Sequence, residues 1–383
     1  MQTHSSKVHF PELDGIRGLA ILLVLAWHYI ASLVQVAPGT AYAYVLKLLS
    51  LTWGGVDLFF VLSGFLIGGI LLDNRTAPNY FKTFYVRRLC RIFPLYYFMF
   101  ALFAVATSLG LGKHGTELSW LYGDPLPLWS YATYLQNFVM ASYGIHGANW
   151  MGITWSLAIE EQFYVVLPLL VRFAPPRTLP WLLGILVSFA PAFRGATFLW
   201  HSQGGFPGYV LLFGRWDALF LGTLGAYYLR RTNARSWLVT RIHWIRILVG
   251  VCFLSMVGLL AGSQSIGSAG MSFFGHTVLA IMCLALIILA RLSLESRTRR
   301  FFSAPLLGWF GLVSYGIYLF HQPVLGLLHG VLRQQAPQIN NVTDALITIL
   351  ALIVTLCIAA ASWHFFERPI VQYGHRIRYN GQT

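Results

Sequence analysis

Apolar stretches close to 20 residues long return along the whole length of this chain, and no other feature limits its fold so severely. At about 1.5 Å of rise per residue, one such stretch carries a helix across the roughly 30 Å hydrocarbon core of a bilayer. The runs fall near 16–36, 52–72, 92–110, 157–173, 179–200, 209–229, 246–262, 272–290, 306–332 and 344–366, with a shorter apolar piece at 128–141. Apolar residues make up 57% of the 383 and charged residues 10%, so no soluble domain of useful size fits between the runs. The expectation is an all-α fold. It is a polytopic integral membrane bundle of about ten transmembrane helices, one domain over residues 1–383.

The charge surplus reads as topology. With a cytoplasmic amino terminus and ten crossings, 21 of the 26 lysines and arginines fall on the cytoplasmic side, leaving Lys47, Lys113, Arg194, Arg215 and Arg333 outside. That bias follows the positive-inside rule and puts both termini in the cytoplasm. An eleventh crossing at 128–141 would reverse every later loop and destroy the bias, so that piece is expected to be interfacial or re-entrant. A formal charge of +14 could suggest nucleic acid, but these arginines sit at helix ends with no basic domain around them, where they anchor to anionic membrane lipid. Cys90, Cys252, Cys283 and Cys357 have no metal spacing, and neither a metal site nor a disulfide is expected. The first run is followed too soon by another to be a cleaved signal peptide, and is read as a retained signal anchor.

Polar groups inside the runs are the candidates for function, because they are costly in hydrocarbon. His28 follows Arg17 by eleven residues, which returns to nearly the same helix face about 16 Å further along. Asp57, Asp217 and His321 sit in other runs at the depth of His28, roughly 18 to 22 Å from the cytoplasmic face. Two imidazoles and two carboxylates at one level could line a buried polar cavity, or could pair off to lock helices together. Arg88 and Arg91, at i and i+3, share a helix face and offer two guanidinium forks suited to a polyanion such as phosphate. Their structural alternative is topological anchoring. Glu160 and Glu161 open the run at 157–173, where they either face a cavity or complement a helix amino terminus. Glu367 is read as a partner for an arginine.

These residues, in this order, resemble the acyltransferase 3 family of integral membrane acyltransferases. The likeness runs through Leu-Asp-Gly-Ile-Arg-Gly-Leu-Ala at 13–20 with His28, Gly-Val-Asp-Leu-Phe-Phe-Val-Leu-Ser-Gly-Phe at 55–65, and Arg88 with Arg91. It continues through Trp-Ser-Leu-Ala-Ile-Glu-Glu-Gln-Phe-Tyr at 155–164, Arg215 with Asp217, Tyr-Gly-Ile-Tyr-Leu-Phe-His at 315–321, and Phe-Glu-Arg-Pro at 366–369. Each motif alone is weak; together, on ten runs, they are specific. The resemblance implies an O-acyltransferase of a bacterial inner membrane that moves an acyl group, commonly acetyl, from acyl-coenzyme A to hydroxyls of sugars or glycoconjugates. Acyl-coenzyme A is then a co-substrate, with no bound cofactor. Some members carry a fused extracytoplasmic hydrolase-like domain, and none is expected here.

Acyl transfer to an alcohol needs a base, and neutral histidine suits that role. His28 is the expected base, with Asp57 fixing its tautomer as a carboxylate does in a hydrolase triad. Arg17, Arg88 and Arg91 would hold the phosphates of the donor. Trp155, Ser156, Glu160, Glu161, Asp217, Tyr318 and His321 are candidates for the cavity and the acceptor, with Tyr134, Gln136, Asn137 and Trp150 as further acceptor contacts. Direct transfer and an acyl-histidine intermediate both remain open. The rival readings are a transporter or flippase for a lipid-linked sugar, a different membrane-bound O-acyltransferase fold, and O-acylation of a non-carbohydrate molecule such as a macrolide aglycone.

Overall fold

The computed structural model describes residues 10–36, 39–111, 117–201, 204–262, 266–293 and 297–380; Lys113 lies outside them. Ten helices carry the architecture: α1 Pro11–Ala26, α2 Gly55–Asp73, α3 Tyr80–Ser108, α4 Trp155–Phe173, α5 Leu179–Trp200, α6 Trp216–Leu229, α7 Ile242–Ala261, α8 His276–Leu292, α9 Pro305–Arg333 and α10 Val342–Ser362. Among the described residues the only β pairing is an isolated bridge between Val34 and Ile339.

Local chemistry starts and bends these helices. Pro11 stands at the first turn of α1, where its missing N–H costs nothing, and Glu12 and Asp14 complement the positive helix end. Asn341 caps α10 by accepting the Asp344 N–H at 3.0 Å. α1 does not stop at Ala26 but continues as one π-helical turn, Trp27–Ala31, closed by the Ser32 N–H on the Trp27 carbonyl at 2.9 Å. Such widened turns occur mostly as single turns and often at functional sites. His28 sits in this one.

Among the described residues, eight helices with their flanking segments are long and apolar enough to cross a membrane: α1, α2, α3, α5, α7, α8, α9 and α10. α4 falls short because Glu160, Glu161 and Arg172 share its 19 residues, and α6 because it has 14 residues after a break at Leu211 and a 3₁₀ turn, Leu212–Arg215. The segment at 128–141 forms two short helices, Leu128–Ala132 and Gln136–Tyr143, neither long enough to span.

Glycine sets the closest contacts. Gly18 of α1 and Gly311 of α9 lie against the carbonyls of Leu307 and Asp14, and Gly64 of α2 and Gly222 of α6 against those of Leu219 and Val61. A Cβ at any of the four would overlap a backbone oxygen, so small residues are what let these helix pairs touch, as expected where lipid supplies no hydrophobic drive for association. α1 and α9 run in the same direction. So do α2, α4 and α6, which Ser63–Glu160, Asp57–Arg215 and Asp73–Arg230 contacts hold in register.

Candidate active site

Two chambers meet at one arginine. The inner one is a cavity of about 120 Å³ between α1, α2, α3, α4 and α9, whose polar lining includes Arg17, Ser63, Arg88, Arg91, Ser156, Glu160 and Tyr318. The other is a vestibule of about 670 Å³ lined by Arg87, Arg88, Arg230, Arg291, His375 and Tyr379, with Phe10 and Asp73. Arg88 lines both. It is half-buried and makes no hydrogen bond or ion pair among the described residues. Its neighbours are already engaged: Arg17 with Asp14 at 3.3 Å, Arg230 with Asp73 at 2.6 Å, Arg291 with Glu12 at 2.6 Å, and Arg87 with the Ile377 carbonyl at 2.6 Å. Arg91 lies with its guanidinium 5.3 Å from the centre of the Trp363 ring and faces Glu367. Burial raises the Tyr379 hydroxyl at the vestibule wall above its ordinary range, so it stays neutral beside Arg87.

Inside the cavity, Ser63 Oγ donates to Glu160 Oε1 at 2.6 Å, and the Tyr164 hydroxyl lies 3.4 Å from Glu160 Oε2. The inner end is closed by two hydroxyls. Tyr318 donates to the Ile153 carbonyl at 2.6 Å, and Ser156 Oγ lies 2.6 Å from the Tyr318 oxygen. One helical turn beyond Tyr318 is His321, fully buried, whose Nε2 lies 3.3 Å from Nδ1 of His28. His28 itself is half-buried.

The four level residues therefore separate into two clusters. His28 and His321 form one, with ring centres 4.8 Å apart. Asp57 and Asp217 belong to the other: Asp57 pairs with Arg215, which also bonds Nδ1 of His276 at 2.8 Å, and Asp217 pairs with Arg194 at 2.9 Å and accepts from Thr277 at 2.6 Å. This corrects the expectation that Asp57 orients His28. A fully buried guanidinium needs a carboxylate more than an imidazole does, and Arg215, 0% exposed, takes it.

Arg17, Arg88 and Arg91, expected at a donor site, line the same inner cavity as Ser156, Glu160 and Tyr318, expected at a separate acceptor site. Trp155 is instead packed edge-on to Phe60, with ring centres 6.0 Å apart, and lies 4.6 Å from the Tyr209 ring centre. Glu161 keeps a buried Oε1 with no hydrogen-bond partner, outside the cavity lining. The further acceptor candidates serve the packing of the segment that covers α4. Gln136 bonds the Thr154 carbonyl at 3.0 Å, Asn137 bonds Gln162 at 2.9 Å, Trp150 donates to the Met99 carbonyl at 3.2 Å, and Tyr134 stacks on Tyr96 at 4.3 Å. The sequence reading missed His276, although an ionisable residue in the run 272–290 was signal enough. It also missed Ser63, a small hydroxyl whose importance appears only once Glu160 is beside it.

The family model described as an acyltransferase domain matches residues 10–364. The chain belongs to that acyltransferase family. Among curated relatives, the chain is 28% identical to the peptidoglycan O-acetyltransferase OatA of Listeria monocytogenes over 97% of its own length and 57% of the relative's. It is 26% identical to the O-acetyltransferase OatA of Staphylococcus aureus, over 97% of its length and 58% of the relative's. The chain thus spans a little over half the length of these relatives. No solved structure matches it. Its apolar helices and bacterial relatives make it an integral protein of a bacterial membrane.

Proposed function

We propose that the chain is an acyl-coenzyme A-dependent O-acyltransferase that delivers acetyl to a hydroxyl of a sugar or glycoconjugate. The observation that carries the reading is Arg88, a guanidinium with no hydrogen bond or ion pair among the described residues, in the wall between a wide basic vestibule and a narrow cavity whose lining includes Tyr318, one helical turn before His321. A donor with several phosphates at one end and a thioester on a thin arm at the other fits such a pair of chambers. Arg17, Arg88 and Arg91 hold the phosphates, where charge-assisted bonds are strongest. The arm extends along the inner cavity, and its acyl end reaches His28 when the Tyr318–Ser156 contact parts. The relatives' acceptor, peptidoglycan, supports a glycan acceptor here.

His28 takes the proton of the acceptor hydroxyl as its oxygen bonds the thioester carbonyl carbon. The C–S bond breaks, the thiolate collects that proton from the imidazolium, and the products are an ester and free coenzyme A. The membrane arrangement in this reading has ten crossings and cytoplasmic termini. α4 and α6 count as spans because each runs parallel to α2 and contacts it at well-separated levels, α4 through Phe60, Ser63 and Arg75, α6 through Asp57 and Asp73.

Purified protein in lipid nanodiscs, given acetyl-coenzyme A and peptidoglycan fragments or other glycans, should release free thiol only when an acceptor is present. His28→Ala should still bind donor and lose transfer by about 10² to 10⁴, the usual contribution of a positioned base. A thioester left intact with every acceptor would turn the reading toward sugar transport. Near-wild-type transfer by His28→Ala would remove the catalytic assignment.

A further inference from the structure

We infer that His321 is the positioning residue that sets the tautomer of His28, so that the reacting imidazole is oriented by a second, neutral imidazole. This rests on the reading of His28 as the base.

The hydrogen positions follow from what faces each nitrogen. His321 Nδ1 lies 2.7 Å from the Tyr318 carbonyl oxygen and 3.2 Å from that of Ile317. Carbonyl oxygens only accept, so Nδ1 carries the hydrogen, and the neutral ring keeps a bare lone pair at Nε2. That lone pair points at His28 Nδ1, 3.3 Å away, which also lies 3.0 Å from the Val24 carbonyl. Two acceptors converge on His28 Nδ1, and it must donate to both. The lone pair of neutral His28 is then at Nε2. The opposite tautomer would set three lone pairs against one another.

The Val24 carbonyl is a poor sole anchor, because it also receives a backbone N–H at the end of α1. His321 is better placed. It is 0% exposed, and its carbonyl is tied by the Tyr29 hydroxyl at 2.9 Å. The same hydroxyl lies 2.9 Å from Thr355 Oγ1 of α10. Tyr29 is the neighbour of His28 in the widened turn, so one turn of α1 presents the reacting ring and fastens the ring that orients it. The burial divides the roles: part of the His28 surface is uncovered, whereas His321 is fully buried. A neutral partner fixes the tautomer without the charge of a carboxylate. The imidazolium formed during transfer is left less stabilised and returns its proton readily to the departing thiolate.

Two variants and one spectrum test this. His321→Leu removes the acceptor and should lower kcat by about 10²-fold, the lower end of a base's contribution, with donor KM unchanged. His321→Gln can accept from His28 Nδ1 through its amide oxygen and should recover most of that loss. Nitrogen-15 spectra of the histidine-labelled wild-type protein should show His28 protonated at Nδ1 and bare at Nε2. His321→Leu turning over at the wild-type rate while His28→Ala is inactive would overturn the inference and leave the base in place. Full activity in His28→Ala would instead remove the reading beneath it. Should His321→Leu fail to fold, the wild-type spectrum decides, and a hydrogen on Nε2 of His28 refutes the inference.

Discussion

Arg88 is distinguished by what it lacks. Arg87, Arg230 and Arg291 around it are engaged with carbonyls or carboxylates, and a charge at the common wall of two chambers with no hydrogen bond or ion pair among the described residues is available to a ligand. Arg88→Ala should therefore weaken acetyl-coenzyme A binding by about 1.5–3 kcal/mol, the worth of a hydrogen bond to a charged group, or roughly tenfold to a hundredfold in Kd. Calorimetry or competition with a non-hydrolysable donor analogue measures it directly. Unchanged affinity would return this arginine to a topological role. That Arg88 and Arg91 would share one wall was legible in the sequence, because i and i+3 spacing fixes a shared face whatever the rest of the fold does. The freedom of Arg88 was not, since it depends on which carboxylates other helices bring near.

At the scale of elements, the contact of α2 with α6 determines what Asp57 does. Gly64 and Gly222 let the two backbones touch, and in that register Asp57 meets Arg215 rather than His28. Asp57→Asn leaves a buried guanidinium short of its counter-charge, a change that costs about 3–5 kcal/mol when one partner of a buried pair is removed. The apparent melting midpoint in detergent should drop, while the protein that stays folded binds donor and turns over normally. The double variant Asp57→Leu with Arg215→Met should recover much of the loss, because a well-packed apolar pair often replaces a buried ion pair at no net cost. A fall in kcat with an unmoved midpoint would restore Asp57 to the base. Depth arithmetic puts Asp57 and His28 at one level, but level is one coordinate of three.

For the whole molecule, the vestibule decides a relation that no single helix can. Phe10 and Tyr379, near opposite ends of the described chain, line the same chamber, which is the arrangement the proposed even number of crossings requires. In the proposed arrangement, the positive-inside rule makes that face the cytoplasmic one. Single cysteines at positions 79, 233 and 338 of a cysteine-free variant, probed with an impermeant maleimide in intact cells, should label only at 338. Labelling at 79 or 233 would break the ten-crossing arrangement.

The sequence by itself determined that this chain is a helical membrane protein, where its long helices lie, which family it belongs to, and which arginines and histidines are worth asking about. These follow from run length, residue cost in hydrocarbon and motif order, all of which are local or additive. Only the tertiary structure decided the partners. Helical spacing tells which side chains share a face of one helix, but not which face of which helix it meets. That choice is made by close glycine contacts such as Gly18 against α9 and Gly64 against α6, and they set His28 against His321 and gave Asp57 to Arg215.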